Sequence, residues 1–354
     1  MSTFILRIRT FIIGTLGGVV GFLLGLPLGW LMGAMIATIP FAIAGMNMPS
    51  SWRLRQIMVG VIGVMVGGSF RPDVVENAMQ WPFSLAAVGI YVLIMTIVGV
   101  FTCIYIGKMD RLTAAFSAAP GGLSELLILG PALGADVRTL SLVHGMRLVV
   151  ILLTVPVIVA TIGLASLGGT AVIDRSVNLG ISMPLQDAAI LLACLFIGML
   201  MARKLRFPAA NLTGPLLLSA LAHFSGLTSF HPPQLIVIIA QITIGVSIAQ
   251  FFVGITGRQM LSGLAIGGGL TAMSLSLAAL FALAFEAYLD IPFSMGFIAL
   301  VPGGLPEMSL ISISLGIDPA FVSMHHLFRV VLLLTLCPIL IPLWAGKAAP
   351  TPPP

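Results

Sequence analysis

Apolar segments recur along the whole chain, and at least ten of them approach the ~20 residues that a helix needs to cross a bilayer. Charged residues make up only 8% of the sequence, whereas a soluble domain carries about a quarter. Such a chain cannot cover a water-facing surface. Because the alternating ~10-residue segments of a β-barrel are absent, the sequence predicts an all-α polytopic membrane protein with about 10–12 transmembrane segments.

Charge and cysteine content argue against several classes of partner and cofactor. The net charge of +5 is spread along connecting loops, which is typical of membrane topology signals and does not predict nucleic-acid binding. The three cysteines are isolated in apolar segments, without the spacing of metal ligands. We therefore expect the lipid bilayer as the partner and no metal or organic cofactor.

An internal duplication is the second feature of the chain. With a shift of 182 residues, the stretch 120–156 aligns with 302–338 without a gap, and 14 of the 37 positions are identical. Identical charged residues are informative because the chain has so few of them. The sequence predicts a first membrane repeat over 1–175, a second over 176–344 and a flexible, proline-rich tail over 345–354.

The distribution of basic residues bears on the orientation of the repeats, because basic residues favour the cytoplasmic side. We assign pairs such as Arg53 and Arg55 to cytoplasmic loops. The assignments agree only if each repeat crosses the membrane an odd number of times, with one segment entering and leaving on the same side. The repeats would then be inverted, as in many secondary transporters; six crossings per repeat, giving parallel repeats, is the alternative.

The same Pro-Gly-Gly sequence interrupts an apolar segment in each repeat. A proline followed by two glycines ends one helix and lets another begin, and the new half-helix points its free N–H groups into the protein, as an anion site does. The alternative is a tight turn that only lets helices pack closely. The candidate substrate-binding residues are Pro120, Gly121 and Gly122 (the first break) and Pro302, Gly303 and Gly304 (the second break).

Acidic residues follow each break at equal spacing. Glu125 and Glu307 fall in the first turn of the half-helices, where they either cap N–H groups or bind a coupling ion, H⁺ or Na⁺. Asp136 and Asp318 precede the next helix and are predicted to cap it, since Asp318 is followed by Pro319.

A histidine and an arginine three residues apart share a helix face in each repeat: His144 with Arg147, and His326 with Arg329. If the helix begins near Val137, Arg147 lies roughly 15 Å deep, where an arginine needs a partner. The arginines either bind an anionic substrate bidentately or form buried ion pairs with the glutamates. The histidines either shuttle protons or are hydrogen-bonded core residues.

The duplicated block PGG…E…GxD…HxxR resembles the AbrB family of bacterial membrane proteins, and the resemblance covers essentially the whole chain. Members have been labelled as regulators of gene expression and as an ammonia monooxygenase. The resemblance implies a multi-pass protein of the bacterial inner membrane. We place both termini in the cytoplasm.

These features favour a secondary transporter of a small anionic or zwitterionic solute, driven by an ion gradient, rather than an enzyme. Two alternatives stay open: a membrane-embedded sensor or regulator that binds a ligand without transport, and a metal-dependent oxidase built on the clustered histidines. A homo-oligomer is compatible with each.

Overall fold

The protein is described by a computed structural model covering residues 3–70, 81–166 and 183–345. Its secondary structure in these ranges consists of α-helices and one short 3₁₀ helix, without a strand. Seven of the described helices are long and apolar enough to cross a membrane, and the protein is therefore an all-α polytopic membrane protein. The total of 10–12 transmembrane segments stays a prediction, because other apolar helices, such as the 15-residue Gly29–Ile43, are shorter.

The described helices form two series of the same order. In the first half they are α1 Thr3–Leu23, α2 Gly29–Ile43, α3 Trp52–Gly67, α4 Trp81–Tyr105, α5 Arg111–Ala118, α6 Leu123–Ala132 and α7 Val137–Ser166. In the second half they are α8 Leu185–Lys204, α9 Ala210–Phe224, α10 Gln234–Ile248, α11 Gly257–Leu289, α12 Phe293–Leu300, α13 Leu305–Ser314 and α14 Pro319–Ala345, with the 3₁₀ helix Ala249–Phe252 after α10.

Corresponding helices begin at the spacing found in the sequence. Leu123 and Leu305 start α6 and α13, and Val137 and Pro319 start α7 and α14, each pair 182 residues apart. The sequence repetition therefore extends to the order of the helices. The predicted boundary at 175/176 and residues 346–354 of the predicted tail lie outside the described residues, so the extents of the repeats stay predictions.

The compact units of the structure do not coincide with the two halves of the sequence. The first unit comprises Met1–Met79, Leu153–Ile255 and Pro306–Ser323, and the second comprises Gln80–Leu152, Thr256–Leu305 and Met324–Pro354. The first unit thus takes α1–α3 from one half and α8–α10 from the other. Each unit thus contains helices of both halves, although the equivalent helices α6 and α13 are divided between the units.

Polar side chains mark where several helices begin. Ser51 accepts a hydrogen bond from the Leu54 amide at the start of α3, and Asp110 accepts one from the Thr113 amide at the start of α5. Such caps pair amides that have no partner within the helix. The assignment of Arg53 and Arg55 to a loop is wrong, because both lie in the first turn of α3.

Glycines bring helices of the first unit into close contact. A Cβ on Gly33 of α2 would overlap the carbonyl of Gly17 in α1, and a Cβ on Gly214 of α9 would overlap the carbonyl of Gly198 in α8. Small residues at such crossings allow the backbones to approach, which is how helices associate in lipid. The equivalent helix pairs of the two halves therefore pack by the same means.

In the second unit, α5 and α6 fold back on each other around the first break. The Asp136 amide, just after α6, donates to Thr113 Oγ1 near the start of α5 at 2.9 Å. A Cβ on Gly130 in α6 would lie 3.4 Å from the Phe116 ring in α5. The outer ends of the two half-helices are thus adjacent, and the first break lies at the tip of a helical hairpin. The number of membrane crossings and the inversion of the repeats stay predictions.

Candidate functional site

Arg147 of α7 binds the end of the half-helix α5. Its Nη1 donates to the carbonyl oxygens of Ser117 at 3.1 Å and Ala119 at 2.9 Å. The last carbonyls of a helix have no partner within it, so an arginine satisfies them and interacts favourably with the negative end of the helix dipole. The residue is only 2% exposed, as its predicted depth requires.

His144, one helical turn before Arg147, extends the same arrangement. Its Nε2 lies 3.0 Å from the carbonyl oxygen of Phe116. Because a carbonyl only accepts hydrogen bonds, Nε2 must carry the proton. Two side chains of α7 therefore satisfy three carbonyls at the end of α5.

Arg329 of α14 repeats this role at the second break. Its Nη1 donates to the carbonyls of Leu300 and Val301, each at 3.0 Å, and its Nη2 donates to the carbonyl of Gly303 at 3.2 Å. Its Nη2 also donates to Nδ1 of His326 at 2.9 Å. Since arginine only donates, His326 accepts at Nδ1, and this bond favours the neutral imidazole.

The two breaks line one cavity within the second unit, called here the break cavity. Its volume of about 20 Å³ holds roughly one water-sized group. Arg329 also lies beside it, because a Cβ on Gly121 would come within 2.9 Å of Arg329 Nε. The lining residues are Gly121, Gly122, His144, Arg147, Leu148, Pro302, Gly303 and Gly304.

The break cavity is electropositive. Arg147 Nε and Nη2 are buried without a hydrogen-bond partner, as is Arg329 Nε. The half-helices α6 and α13 begin at Leu123 and Leu305, directly after the glycines that line the cavity, and helix N-termini attract anions. Its lining residues include no carboxylate, so an anion would find uncompensated donors there.

The two breaks differ in backbone conformation. Gly121 and Gly122 have φ values of 121° and 67°, which residues with a Cβ rarely adopt. Among the described glycines with positive φ, neither Gly303 nor Gly304 occurs. The first break therefore needs glycine for its conformation, whereas the second does not.

The two glutamates lie in the first turns of their half-helices, Glu125 in α6 and Glu307 in α13. Glu125 is half-buried, and Glu307 is only 2% exposed within the first unit. Glu307 Oε1 lies 4.0 Å from Nη2 of Arg55. The ion pair predicted as an alternative for Glu307 involved Arg147 or Arg329; the partner in the structure is Arg55 instead.

Arg55 itself is held by two further contacts. Its Nε donates to Ser247 Oγ of α10 at 3.0 Å, and its guanidinium carbon lies 5.5 Å from the Trp52 ring centroid. Sequence reasoning missed Arg55 and Ser247, since a basic residue near a helix start has the pattern of a topology signal. The sequence does contain one indication. The position of the second repeat that corresponds to Arg55 is Val237, so the charge of Arg55 is not part of the repeated pattern.

The two aspartates make the contacts of helix caps. Asp136 accepts hydrogen bonds from the amides of Arg138 and Thr139 and from the Thr139 hydroxyl, and Asp318 accepts one from the Ala320 amide. Partial burial of Asp136 raises its pKa, but these hydrogen bonds and the charge of Arg138 outweigh burial and hold the pKa below its ordinary value.

The histidines that could have formed a metal site, His144, His325 and His326, contact protein groups instead. His325 Nε2 lies 2.7 Å from Ser84 Oγ, and its ring packs edge-on against Trp81 at 6.3 Å between centroids. Within the described ranges, no three His, Cys, Asp or Glu side chains lie close enough together to hold a metal ion.

The fold and the site define a polytopic α-helical membrane protein with a buried polar centre around interrupted helices. The chain belongs to the AbrB family, described as "Transition state regulatory protein AbrB", which matches residues 30–345. This confirms the family resemblance read from the duplicated block.

Two relatives match nearly the whole chain. "Uncharacterized protein YhjN" of Bacillus subtilis (strain 168) is 25% identical over 351 residues, which covers 92% of this chain and 90% of the relative. "Putative regulator AbrB" of Escherichia coli (strain K12) is 24% identical over 325 residues, covering 88% of each. No solved structure matches.

Proposed function

We propose that the protein is a secondary transporter of a small anionic or zwitterionic solute, which binds in the break cavity. The observation that carries the proposal is the unused hydrogen-bonding capacity of Arg147. Its Nε and Nη2 are buried without a partner, and an unsatisfied buried donor on a charged group costs free energy. A bound anion would satisfy both.

The free donors of Arg147 favour a carboxylate over other anions. Nε and Nη2 form one edge of the guanidinium, which donates two parallel hydrogen bonds to a planar group with two oxygens. A halide would accept from this edge at one point only. An ammonium group would be repelled, so a zwitterion would place its carboxylate against Arg147.

The size of the break cavity bears on the transport cycle. A volume of about 20 Å³ has room for roughly one water-sized group, which is less than a whole carboxylate. In the proposed cycle this conformation corresponds to an occluded state, and a solute requires the breaks to separate. Interrupted helices that part around a central site are a general feature of secondary transporters.

The coupling ion belongs to the same proposal. Glu125 and Glu307, each in the first turn after a break, are the proposed ligands for H⁺ or Na⁺, since carboxylates within the membrane commonly mark ion pathways. We place the protein in the bacterial inner membrane with both termini in the cytoplasm, and assign the break cavity binding and translocation rather than catalysis.

Binding is tested by the thermal stability of the purified protein in sodium formate and sodium chloride at equal ionic strength. Formate is the smallest carboxylate and therefore requires the least enlargement of the break cavity. We expect formate to raise the melting temperature of wild type more than chloride does, and Arg147→Ala to lose the difference. Arg147→Lys, which keeps the charge but not the planar edge, is the matched control. Equal responses of wild type and Arg147→Ala would refute the site.

The second candidate is a membrane sensor or regulator. It is favoured by the family description and by the name of the Escherichia coli relative, both of which refer to regulation. Proteoliposomes separate the two functions: a transporter accumulates labelled small carboxylates when a proton or sodium gradient is imposed. A sensor binds the same compounds without moving them.

A further inference from the structure

Resting on the transport function proposed above, we infer that Glu307 is the residue at which proton binding is linked to anion binding, with Arg55 as its counter-charge. Proton and anion would then move together in one direction. The coupling ion is thereby a proton and not Na⁺.

The pairing of Glu307 with Arg55 is loose. The carboxylate is only 2% exposed, and a buried charge is costly unless it is paired and hydrogen-bonded. Its distance of 4.0 Å from Arg55 Nη2 exceeds the ~3.2 Å of a hydrogen bond. Apart from a hydrogen bond with its own backbone amide, Glu307 is compensated by the proximity of Arg55, and its remaining acceptor capacity is open to a second ligand.

Arg55 is constrained on its other sides. Its Nε is committed to Ser247 Oγ and its guanidinium lies beside the Trp52 ring. Arg55 on α3 is the charged group that faces Glu307, and Ser247 on α10 is uncharged. The positive charge therefore stays in place when Glu307 changes its ionisation.

This arrangement favours a proton as the ligand of Glu307. A metal cation on the carboxylate would lie close to the fixed guanidinium and be repelled by it. A proton needs no additional space and removes the negative charge altogether. The ligand chemistry is therefore that of a carboxylic acid rather than of a sodium site.

Chain connectivity links Glu307 to the break cavity. Gly304 lines the cavity and Glu307 follows three residues later, so their Cα atoms are at most ~11 Å apart by covalent geometry. A negative Glu307 opposes an anion at the start of its own helix, whereas a protonated Glu307 does not. At a charge separation of about this size and an effective dielectric constant of ~20, two unit charges would change each other's binding by on the order of tenfold.

The linkage is reciprocal, as any coupling between two binding equilibria must be. Protonation of Glu307 strengthens anion binding, and a bound anion strengthens protonation. The first repeat does not duplicate the arrangement, because Val237 stands in the place that corresponds to Arg55. The proton linkage is thus assigned to the second repeat.

The test measures the apparent dissociation constant of formate from melting curves of the full chain in detergent between about pH 5 and 8, a range in which formate stays ionised. In wild type we expect binding to tighten on the order of tenfold as the pH falls. Glu307→Gln imitates the protonated acid and should bind tightly at every pH. Glu286→Gln, the same change at an exposed carboxylate, should behave as wild type.

Two results would overturn the inference while leaving the anion site intact: a Glu307→Gln variant that keeps the pH dependence of wild type, or formate binding that requires Na⁺ when choline replaces it. Failure of the proposed function has a different signature, namely equal formate responses of wild type and Arg147→Ala.

An infrared measurement needs no anion. The carbonyl band of protonated carboxylic acids that appears on acidification of wild type should be weaker in Glu307→Gln by the contribution of one buried acid. Identical difference spectra in the two proteins would also overturn the inference.

Discussion

Arg147 and Arg329 occupy equivalent positions in the two repeats, but their guanidinium groups are bonded differently. Arg329 uses Nη1 and Nη2 for three carbonyls and His326, whereas Arg147 uses Nη1 alone and leaves Nε and Nη2 unpartnered. Arg329 leaves only Nε unpartnered, so the same motif has more unused donors at the first break than at the second. The duplication thus produced two copies of one polar motif, and the copy that contains Arg147 keeps the donors for a ligand.

The largest effect is expected from Arg329→Ala. The change leaves the carbonyls of Leu300, Val301 and Gly303 without their donor, and each unsatisfied buried group costs ~1–3 kcal/mol. We expect a loss of ~3 kcal/mol or more in unfolding free energy, seen as a much lower melting temperature in detergent. A variant with wild-type stability would show that the second break does not depend on this arginine.

Arg147→Lys should act on ligand binding before stability. Lysine keeps the charge but lacks the two-donor edge, and a hydrogen bond to a charged group contributes ~1.5–3 kcal/mol. We therefore expect formate affinity to fall at least tenfold, with a smaller drop in melting temperature than Arg329→Lys causes. If Arg329→Lys weakens formate binding more than Arg147→Lys does, the assigned roles are reversed.

The glycines provide a matched pair of backbone variants. Gly121→Ala places a Cβ at φ 121° and within 2.9 Å of Arg329 Nε, so we expect a loss of ~1–3 kcal/mol from backbone strain alone. Gly303→Ala meets no such φ requirement and should cost less. Thermal unfolding of the two variants side by side measures the difference. Equal losses would mean that the breaks do not differ in backbone conformation as described.

The smallest effect concerns the caps. Asp136 accepts hydrogen bonds from two backbone amides and the Thr139 hydroxyl, so Asp136→Ala should cost the ~0.5–2 kcal/mol of a lost cap. Because folding lowers the pKa of Asp136, its contribution is present above the unfolded-state pKa of ~3.9 and is lost as the pH falls through the folded value.

Melting temperatures measured down to about pH 3 check this dependence. The stability gap between wild type and Asp136→Asn should narrow at the acidic end of the range. A gap that widens with acidity would contradict the lowered pKa.

Features that depend on local sequence could be predicted. The apolar segments determine the helical class, and Pro-Gly-Gly determines where the half-helices end, because a missing amide and two residues without a Cβ interrupt any helix. The start of α7 at Val137 and of α14 at Pro319 also follows from local signals. The burial of Arg147 follows from its distance along the helix.

Features that depend on distant contacts could not be predicted. The partners of Arg147 are carbonyls, which every residue has, so no residue type marks them. Arg55 and Glu307 are far apart in the chain and belong to different repeats. The grouping of helices from both halves into one unit also cannot be predicted from hydropathy, because both halves have the same hydropathy pattern.

Because each unit contains helices from both halves of the chain, the fold has a consequence for biosynthesis. The first unit requires residues up to Ser323, and the second requires residues beyond Met324, so neither can be completed while only the first half has left the ribosome. The early helices must therefore remain unassembled until the late ones are made, since Arg55 is translated long before Glu307. Assembly of this protein is therefore a late event that follows insertion, and the interval exposes unfinished polar surfaces to lipid and to quality-control proteases.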